Sequence, residues 1–293
     1  MIIDIHVHVT RVAGITRSVG DTYATPEQLI KMMDAAGVDK AVLLPSVSPE
    51  CMHVLSPTEE ILEIANSSSG RFIPFCNIDP RADTNSSEAD LVRMLRYYIA
   101  QGCKGLGEMT ANLPFDDPRV ENLFAACQQC EMSVTFHIAP QIGGCYGLFD
   151  EPGLPRLERA LQRFPELKFL GHSQPFWAEV APSYGQAGRN GYPSGSIAPG
   201  GRLPELFARY PNLNGDLSAG SGYNAVSRDP EWGYRFMEAY QDRLFFGTDI
   251  CAPSNDTPLV RYLNAAHAAG DLSTAAYEKI TWRNANELLH LGL

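Results

Sequence analysis

Short apolar runs and segments of helical period alternate along the chain from end to end. Residues 2–9 form an apolar run interrupted at every second position by Asp4, His6 and His8, which predicts a strand with these three on one side. A Thr25 cap with Pro26 at the first helical position opens a helix that ends near Gly37. Further strands are predicted over 40–44, 71–78, 103–109, 132–138, 167–172, 213–217 and 244–249. Helices are predicted from Ser56-Pro57-Thr58-Glu59 to near Gly70, and over 88–100, 118–130, 154–164, 203–210, 234–240, 257–269 and 276–290. Eight strand–helix pairs in one row, without a break in composition, predict a single α/β domain over residues 1–293, a (β/α)8 TIM barrel rather than a doubly wound open sheet.

Three Gly- and Pro-rich stretches, 140–153, 182–201 and 251–258, follow predicted strands at their C-terminal ends. In a barrel that is the face on which active sites are built. The middle stretch, with Tyr184 and Tyr192, is long enough to read as a segment covering the substrate.

Composition narrows the picture. With 44% hydrophobic and 19% charged residues the chain is of ordinary globular type. A net charge of −11 argues against nucleic acid or an anionic membrane as partner and leaves a small molecule. No apolar run reaches the ~18 residues of a membrane span, and Met1-Ile2-Ile3-Asp4 does not begin a signal peptide. Seven cysteines, odd in number and irregular in spacing, suit free thiols in a reducing cytoplasm, with Cys51 among them and Cys127 and Cys130 as helix-face thiols. The sequence sets no oligomeric state; a homodimer is compatible with it.

The candidate chemistry gathers at the strand ends. His137 closes the fifth predicted strand, His172 the sixth, Asp249 the eighth and Glu108 the fourth, so a closed barrel brings them to one mouth with His6 and His8. Imidazoles and carboxylates suit Zn2+ or another divalent ion such as Mn2+. Such an ion lowers the pKa of a bound water toward ~7. Asp249 is the residue placed to carry the proton, and His172 to polarise a substrate carbonyl. Asp4, a step deeper, would support the site by hydrogen bonding, and Lys104 is read on the same face as Glu108. His53, His267 and His290 fall in a loop or helices and are left out of the site. Candidate substrate anchors are Arg11, Arg17, Arg189, Tyr146, Trp177 and Tyr184, the arginines because they grip carboxylates in a bidentate manner. Cys251 is read as packing.

Asp4-Ile5-His6-Val7-His8, Phe136-His137-Ile138, Gly171-His172 and Phe246-Gly247-Thr248-Asp249, in this order, resemble the amidohydrolase superfamily. The likeness is greatest to its amidohydrolase-related group, which includes aminocarboxymuconate semialdehyde decarboxylase, and extends to the tail Asn284-Ala285-Asn286-Glu287-Leu288-Leu289. The resemblance implies His6, His8, His137 and Asp249 as metal ligands with His172 beside them. Glu108 stands where several members place a bridging ligand, so one ion or two are open. Decarboxylases of the group tend to carry a Gly- or Glu-containing turn after the sixth-strand histidine, whereas this chain has Ser173-Gln174-Pro175-Phe176-Trp177. The expected function is therefore a metal-dependent hydrolase cleaving an amide, lactone or ester of a small, carboxylated substrate. The alternative is a non-oxidative decarboxylase of an unsaturated or aromatic acid.

Overall fold

The computed structural model describes residues 1–17, 20–50 and 54–293; Cys51 and His53 lie outside the described residues. Nine strands occur among them: β1 (Ile3–Val7), β2 (Lys40–Leu43), β3 (Phe72–Pro74), β4 (Leu106–Met109), β5 (Val134–Ala139), β6 (Leu148–Phe149), β7 (Phe169–His172), β8 (Leu213–Asp216) and β9 (Leu244–Phe245). They pair in parallel as two arcs, β1-β2-β3 and β4-β5-β7-β8-β9, with β6 alongside β5 and outside the ring.

Two seams close the arcs into one barrel. At the first, Cys76 bridges Leu106 in parallel, and the Cys76 and Gly107 amides donate to Gly105 O and Cys76 O at 3.0 and 2.9 Å. At the second, Val7 bridges Ile250, and the His8 and Asp249 amides donate to Ile250 O and His6 O, both at 2.8 Å. The result is a TIM barrel whose first and last strands are neighbours.

The helices follow from local signals. The Thr25 side chain accepts from the Gln28 amide and Gln28 answers to the Thr25 amide, a capping box with Pro26 in the first turn, and α1 (Pro26–Ala36) ends at Gly37 with φ 72°. Then come α2 (Thr58–Asn66), α3 (Leu91–Ala100), α4 (Pro118–Gln129), α5 (Pro155–Arg163), α6 (Gln174–Ala178), α7 (Arg202–Arg209), α8 (Ala219–Ser227), α9 (Pro230–Ala239) and α10 (Pro258–Ala269). The segment predicted as one helix over 276–290 is α11 (Thr274–Glu278), a π-helical turn over Lys279–Arg283 and α12 (Asn284–Leu288). No helix among the described residues is long and apolar enough to cross a membrane.

Inside the ring, Ile3, Ile5, Val42, Leu44, Ile73, Phe75, Leu170 and Phe245 form a cluster with Ala285 and Leu289 from the C-terminal segment. Asn284 fixes that segment by donating to Gln241 O and Leu244 O at 2.7 and 2.8 Å. Polar strand ends are thus left to the opposite face. Lys104, expected beside Glu108, is exposed instead. It precedes β4, and the β4–β5 register shifts between Leu106 and Met109, which breaks the alternation that linked the two.

The excursion between α6 and α7 is fastened to the segments around it. Buried Arg189 donates to Glu179 Oε1 at 3.0 Å, Asp150 O at 2.8 Å and Glu151 O at 3.1 Å. Further on, Asn224 Nδ2 donates to Pro193 O at 3.0 Å, and the Ile197 amide donates to Asp229 Oδ2 at 2.8 Å.

Candidate metal centre and its cavity

His6 and His8 leave the same side of β1, and their Nε2 atoms stand 3.0 Å apart. Their other nitrogens are committed. His8 Nδ1 lies 3.0 Å from Leu44 O, an acceptor only, so Nδ1 carries a hydrogen and Nε2 is the nitrogen turned to the centre. His6 Nδ1 lies 2.6 Å from Asp216 Oδ2. Burial would raise the Asp216 pKa, but the charge and hydrogen bond of His6 outweigh it and hold the carboxyl below its ordinary value. Burial would lower the His6 pKa, but the charges and hydrogen bonds of Asp216 and Glu108 outweigh it and raise it well above its ordinary value, so without a metal His6 Nε2 keeps a proton. Two imidazole nitrogens 3.0 Å apart share a positive charge between them, a proton or, in its place, a metal ion.

Two carboxylates complete the group. Glu108, at the end of β4, places Oε2 3.7 Å from His6 Nε2 and 3.4 Å from His8 Nε2. Asp249, in the turn after β9 with φ 56°, places Oδ1 3.5 and 3.7 Å from the same two nitrogens. Four ligands about 2.1 Å from a zinc ion in a tetrahedron stand about 3.4 Å from one another. The donor set therefore fits a divalent cation in both chemistry and spacing. Burial works against ionised Glu108, yet hydrogen bonds from His137, His6 and His8 hold its carboxyl well below the usual range. His6, His172 and Asp216, and Glu108, His137 and His172, are two further groups with ligand atoms close enough to hold an ion.

His137, paired with His172 across β5 and β7, has Nδ1 2.8 Å from Glu108 Oε1. It thus reaches the cluster through that carboxylate. Burial, and then the neighbouring His6, push the His172 pKa down to about 4, so it is a neutral imidazole near pH 7. Its Nδ1 meets Ser218 Oγ at 2.9 Å and its Nε2 lies 3.9 Å from Asp249 Oδ2. Asp4 supports the site as expected: it accepts from the His6 and Thr248 amides, each at 3.0 Å, and from Thr248 Oγ1 at 2.5 Å. At Gly247 the barrel wall has no room for a side chain, since a Cβ there would stand 2.9 Å from Asp216 Oδ1.

A cavity of about 140 Å³ opens over the centre, lined by His8, Arg17, Tyr23, Ser46, Glu108, His137, Tyr146, His172, Asp249 and Cys251. Tyr146 lies against His137, with ring centroids 4.6 Å apart, and Arg17 stacks over Tyr23 at 4.7 Å while donating to Cys251 Sγ at 3.1 Å. Burial pushes the Cys251 thiol up to about 11, so it stays protonated, in keeping with a packing role. A larger cavity, about 610 Å³, lies at the other end of the barrel among Ser133, Lys168, Arg243 and Glu287, away from this chemistry.

Four expected anchors are not brought to the cavity. Arg11 is exposed and pairs with Glu63. The Trp177 indole is buried and donates to Asp216 O at 2.9 Å, so it props the end of β8, whose Asp216 side chain bonds His6. Tyr184 sits in the α6–α7 excursion, where its hydroxyl meets Glu179, and Arg189 in the same excursion is spent on its anchoring bonds. The sequence reading missed Asp216 and Ser218. Their signal was present, for Asp216 ends a strand as Glu108, His137 and His172 do.

A closed parallel barrel with histidines and carboxylates at its strand ends defines a TIM-barrel protein with a site able to hold a metal. The chain belongs to the amidohydrolase family, whose model matches residues 3–291. No curated protein matches it in sequence. Solved structures match over nearly the whole length. An amidohydrolase from Burkholderia multivorans with bound zinc is 16% identical, with 99% of each chain covered and a TM-score of 0.63. A proposed 2-pyrone-4,6-dicarboxylic acid hydrolase from Pseudomonas putida is 14% identical, covering 100% of this chain and 98% of that one, with a TM-score of 0.62. A dihydroxybenzoic acid decarboxylase from Polaromonas sp. JS666, with manganese and 2-nitroresorcinol bound, is 14% identical, covering 100% and 97%, with a TM-score of 0.60. At these identities the likeness is one of fold, and the fold carries both hydrolases and decarboxylases.

Proposed function

We propose that the protein is a metal-dependent hydrolase that cleaves an amide, lactone or ester of a small, carboxylate-bearing substrate. The observation that carries this reading is the division of Asp249 between two tasks. Its Oδ1 faces the His6 and His8 nitrogens while its Oδ2 faces His172, and its side chain is 27% exposed where that of Glu108 is 6% exposed. In this reading His6, His8, Glu108 and Asp249 hold one ion, zinc or manganese, and His137 orients Glu108 instead of binding directly. A divalent ion there supplies Lewis-acid charge, polarising the substrate and acidifying water.

The remaining work falls to the side chains. As water adds to the carbonyl carbon, Asp249 Oδ2 takes its proton, and it returns that proton to the departing nitrogen or oxygen as the scissile bond breaks. With the Ser218 hydroxyl donating to Nδ1, neutral His172 presents Nε2–H to the carbonyl oxygen as charge builds there. Arg17 is the one Lys or Arg among the described residues lining the cavity and makes no ion pair among them, so its guanidinium is free to take the substrate carboxylate. A volume of about 140 Å³, against the ~300–1,000 Å³ of sites for drug-sized ligands, restricts the substrate to a small molecule.

The test is a screen of the zinc- and manganese-loaded protein against small lactones, amides and esters, each with and without a carboxylate. Metal-dependent cleavage is expected, with Asp249→Asn at least about 10²-fold slower and Arg17→Met raising KM for the carboxylated substrates alone. Release of CO2 from unsaturated or aromatic acids, with no cleavage of the others, would replace this reading by decarboxylation.

A further inference from the structure

A second cavity, about 400 Å³, lies within the α6–α7 excursion and shares no lining residue with the metal cavity. We propose that it is a binding site for a small-molecule oxyanion, a phosphate or carboxylate group, held by Arg228 together with Ser194 and Ser196. This goes beyond the hydrolase reading and does not depend on it.

Arg228 is the one Lys or Arg among the described lining residues. It is half-buried, at the C-terminal end of α8, and its hydrogen bond goes to a neutral partner, Nη1 to Asn224 Oδ1 at 3.4 Å. It makes no ion pair among the described residues, whereas Arg156, Arg189, Arg202 and Arg209 all have carboxylate partners. The adjacent acid, Asp229, is already spent, Oδ2 on the Ile197 amide at 2.8 Å and Oδ1 on the Trp232 amide at 3.3 Å. Burial without a bonded counter-ion holds the guanidinium below its usual pKa, in line with a charge that lacks a partner.

The wall that carries Ser194 and Ser196 is tied to the chain on either side of Arg228. The run Ser194-Gly195-Ser196 is tied at both ends to residues flanking Arg228 in sequence, Pro193 O to Asn224 and the Ile197 amide to Asp229. Gly195, with φ +83°, makes the turn between the ties. Ser194 and Ser196 both line the cavity and are exposed, so their hydroxyls are open to an entering ligand. A guanidinium fork with two hydroxyl donors suits a planar carboxylate or a tetrahedral phosphate. The volume lies within the range of small-molecule sites. A chain of net charge −11 that offers one cation here suits a small anionic molecule and not a polyanion.

Calorimetric titration of the full chain with inorganic phosphate and, separately, with succinate tests the proposal and tells the two oxyanions apart. Saturable binding of one equivalent of at least one of them is expected. It should survive Arg17→Gln, weaken about 10- to 100-fold in Arg228→Gln, and weaken less in Ser194→Ala/Ser196→Ala. Near-UV circular dichroism of each variant confirms an intact fold, and should Arg228→Gln fail to fold, the serine pair variant decides. No saturation by either anion up to about 10 mM would overturn the proposal. So would binding that Arg228→Gln and the serine variant leave unchanged, or binding that Arg17→Gln abolishes.

Discussion

With its carboxylate 2.6 Å from Nδ1, Asp216 fixes both the ring orientation of His6 and the nitrogen it offers. Asp216→Ala is expected to weaken zinc binding by about 10- to 100-fold, read by competition with a chromogenic chelator; unchanged affinity would reduce Asp216 to a packing residue. Asp150 gives a pH dependence remote from the centre. Both its oxygens accept from the first turn of α5, at 3.1 Å from the Arg156 amide and 2.8 Å from that of Leu157, yet burial raises its pKa from 3.8 to about 7. The folded state thus keeps a proton that the unfolded chain has released. The associated stability is complete below about pH 4 and is lost as the pH rises through about 7. Urea unfolding across that range should show the wild type losing stability relative to Asp150→Asn; parallel curves would contradict the assignment. Residues of this kind differ in how far the sequence discloses them. His6, His8, His137, His172 and Asp249 were legible because a strand end is a recognisable address. Trp177 was not, because only the tertiary contact to Asp216 tells a buried prop from a substrate anchor.

Elements with strong local signals, such as α1 with its capping box or α4 with Asp117 and Pro118 at its start, lie within a few residues of where the sequence places them. Those whose cause is tertiary do not. The α8 segment begins Ala219-Gly220-Ser221-Gly222, poor in helix propensity, and is accepted because Gly222 lies where a Cβ would stand 2.3 Å from the Leu217 backbone. The 182–201 excursion is legible by its length and glycines, but its anchoring rests on Arg189 reaching Glu179 and the backbone at Asp150 and Glu151, a contact without period or motif. Because that ion pair is buried, Arg189→Met should leave Glu179 uncompensated and cost about 3–5 kcal/mol in urea unfolding. Replacing both partners by apolar residues should recover much of the loss; a single variant as stable as the wild type would show that the excursion is not fastened there.

Across the whole molecule, the eightfold alternation was legible because each strand–helix pair carries its own period, whereas the seams at Cys76–Leu106 and Val7–Ile250 have no local signature. The second seam makes the centre a joint between the two ends of the chain, with His6 and His8 on one side and Asp249 on the other. Metal should therefore stabilise the entire fold. At a free concentration 100-fold above Kd it adds about 2.7 kcal/mol, a rise in Tm of about 4–5 °C for a chain of this size. Scanning calorimetry with and without zinc checks this, and His6→Ala should abolish the rise. The same seam sets an order of events on the ribosome. At about 5–20 residues per second, the stretch from His8 to Asp249 takes on the order of ten to fifty seconds to synthesise. Even once Glu108 has joined His6 and His8, the nascent chain offers an ion no Asp249 and no closed ring until that interval ends, so metal loading belongs to the last act of synthesis.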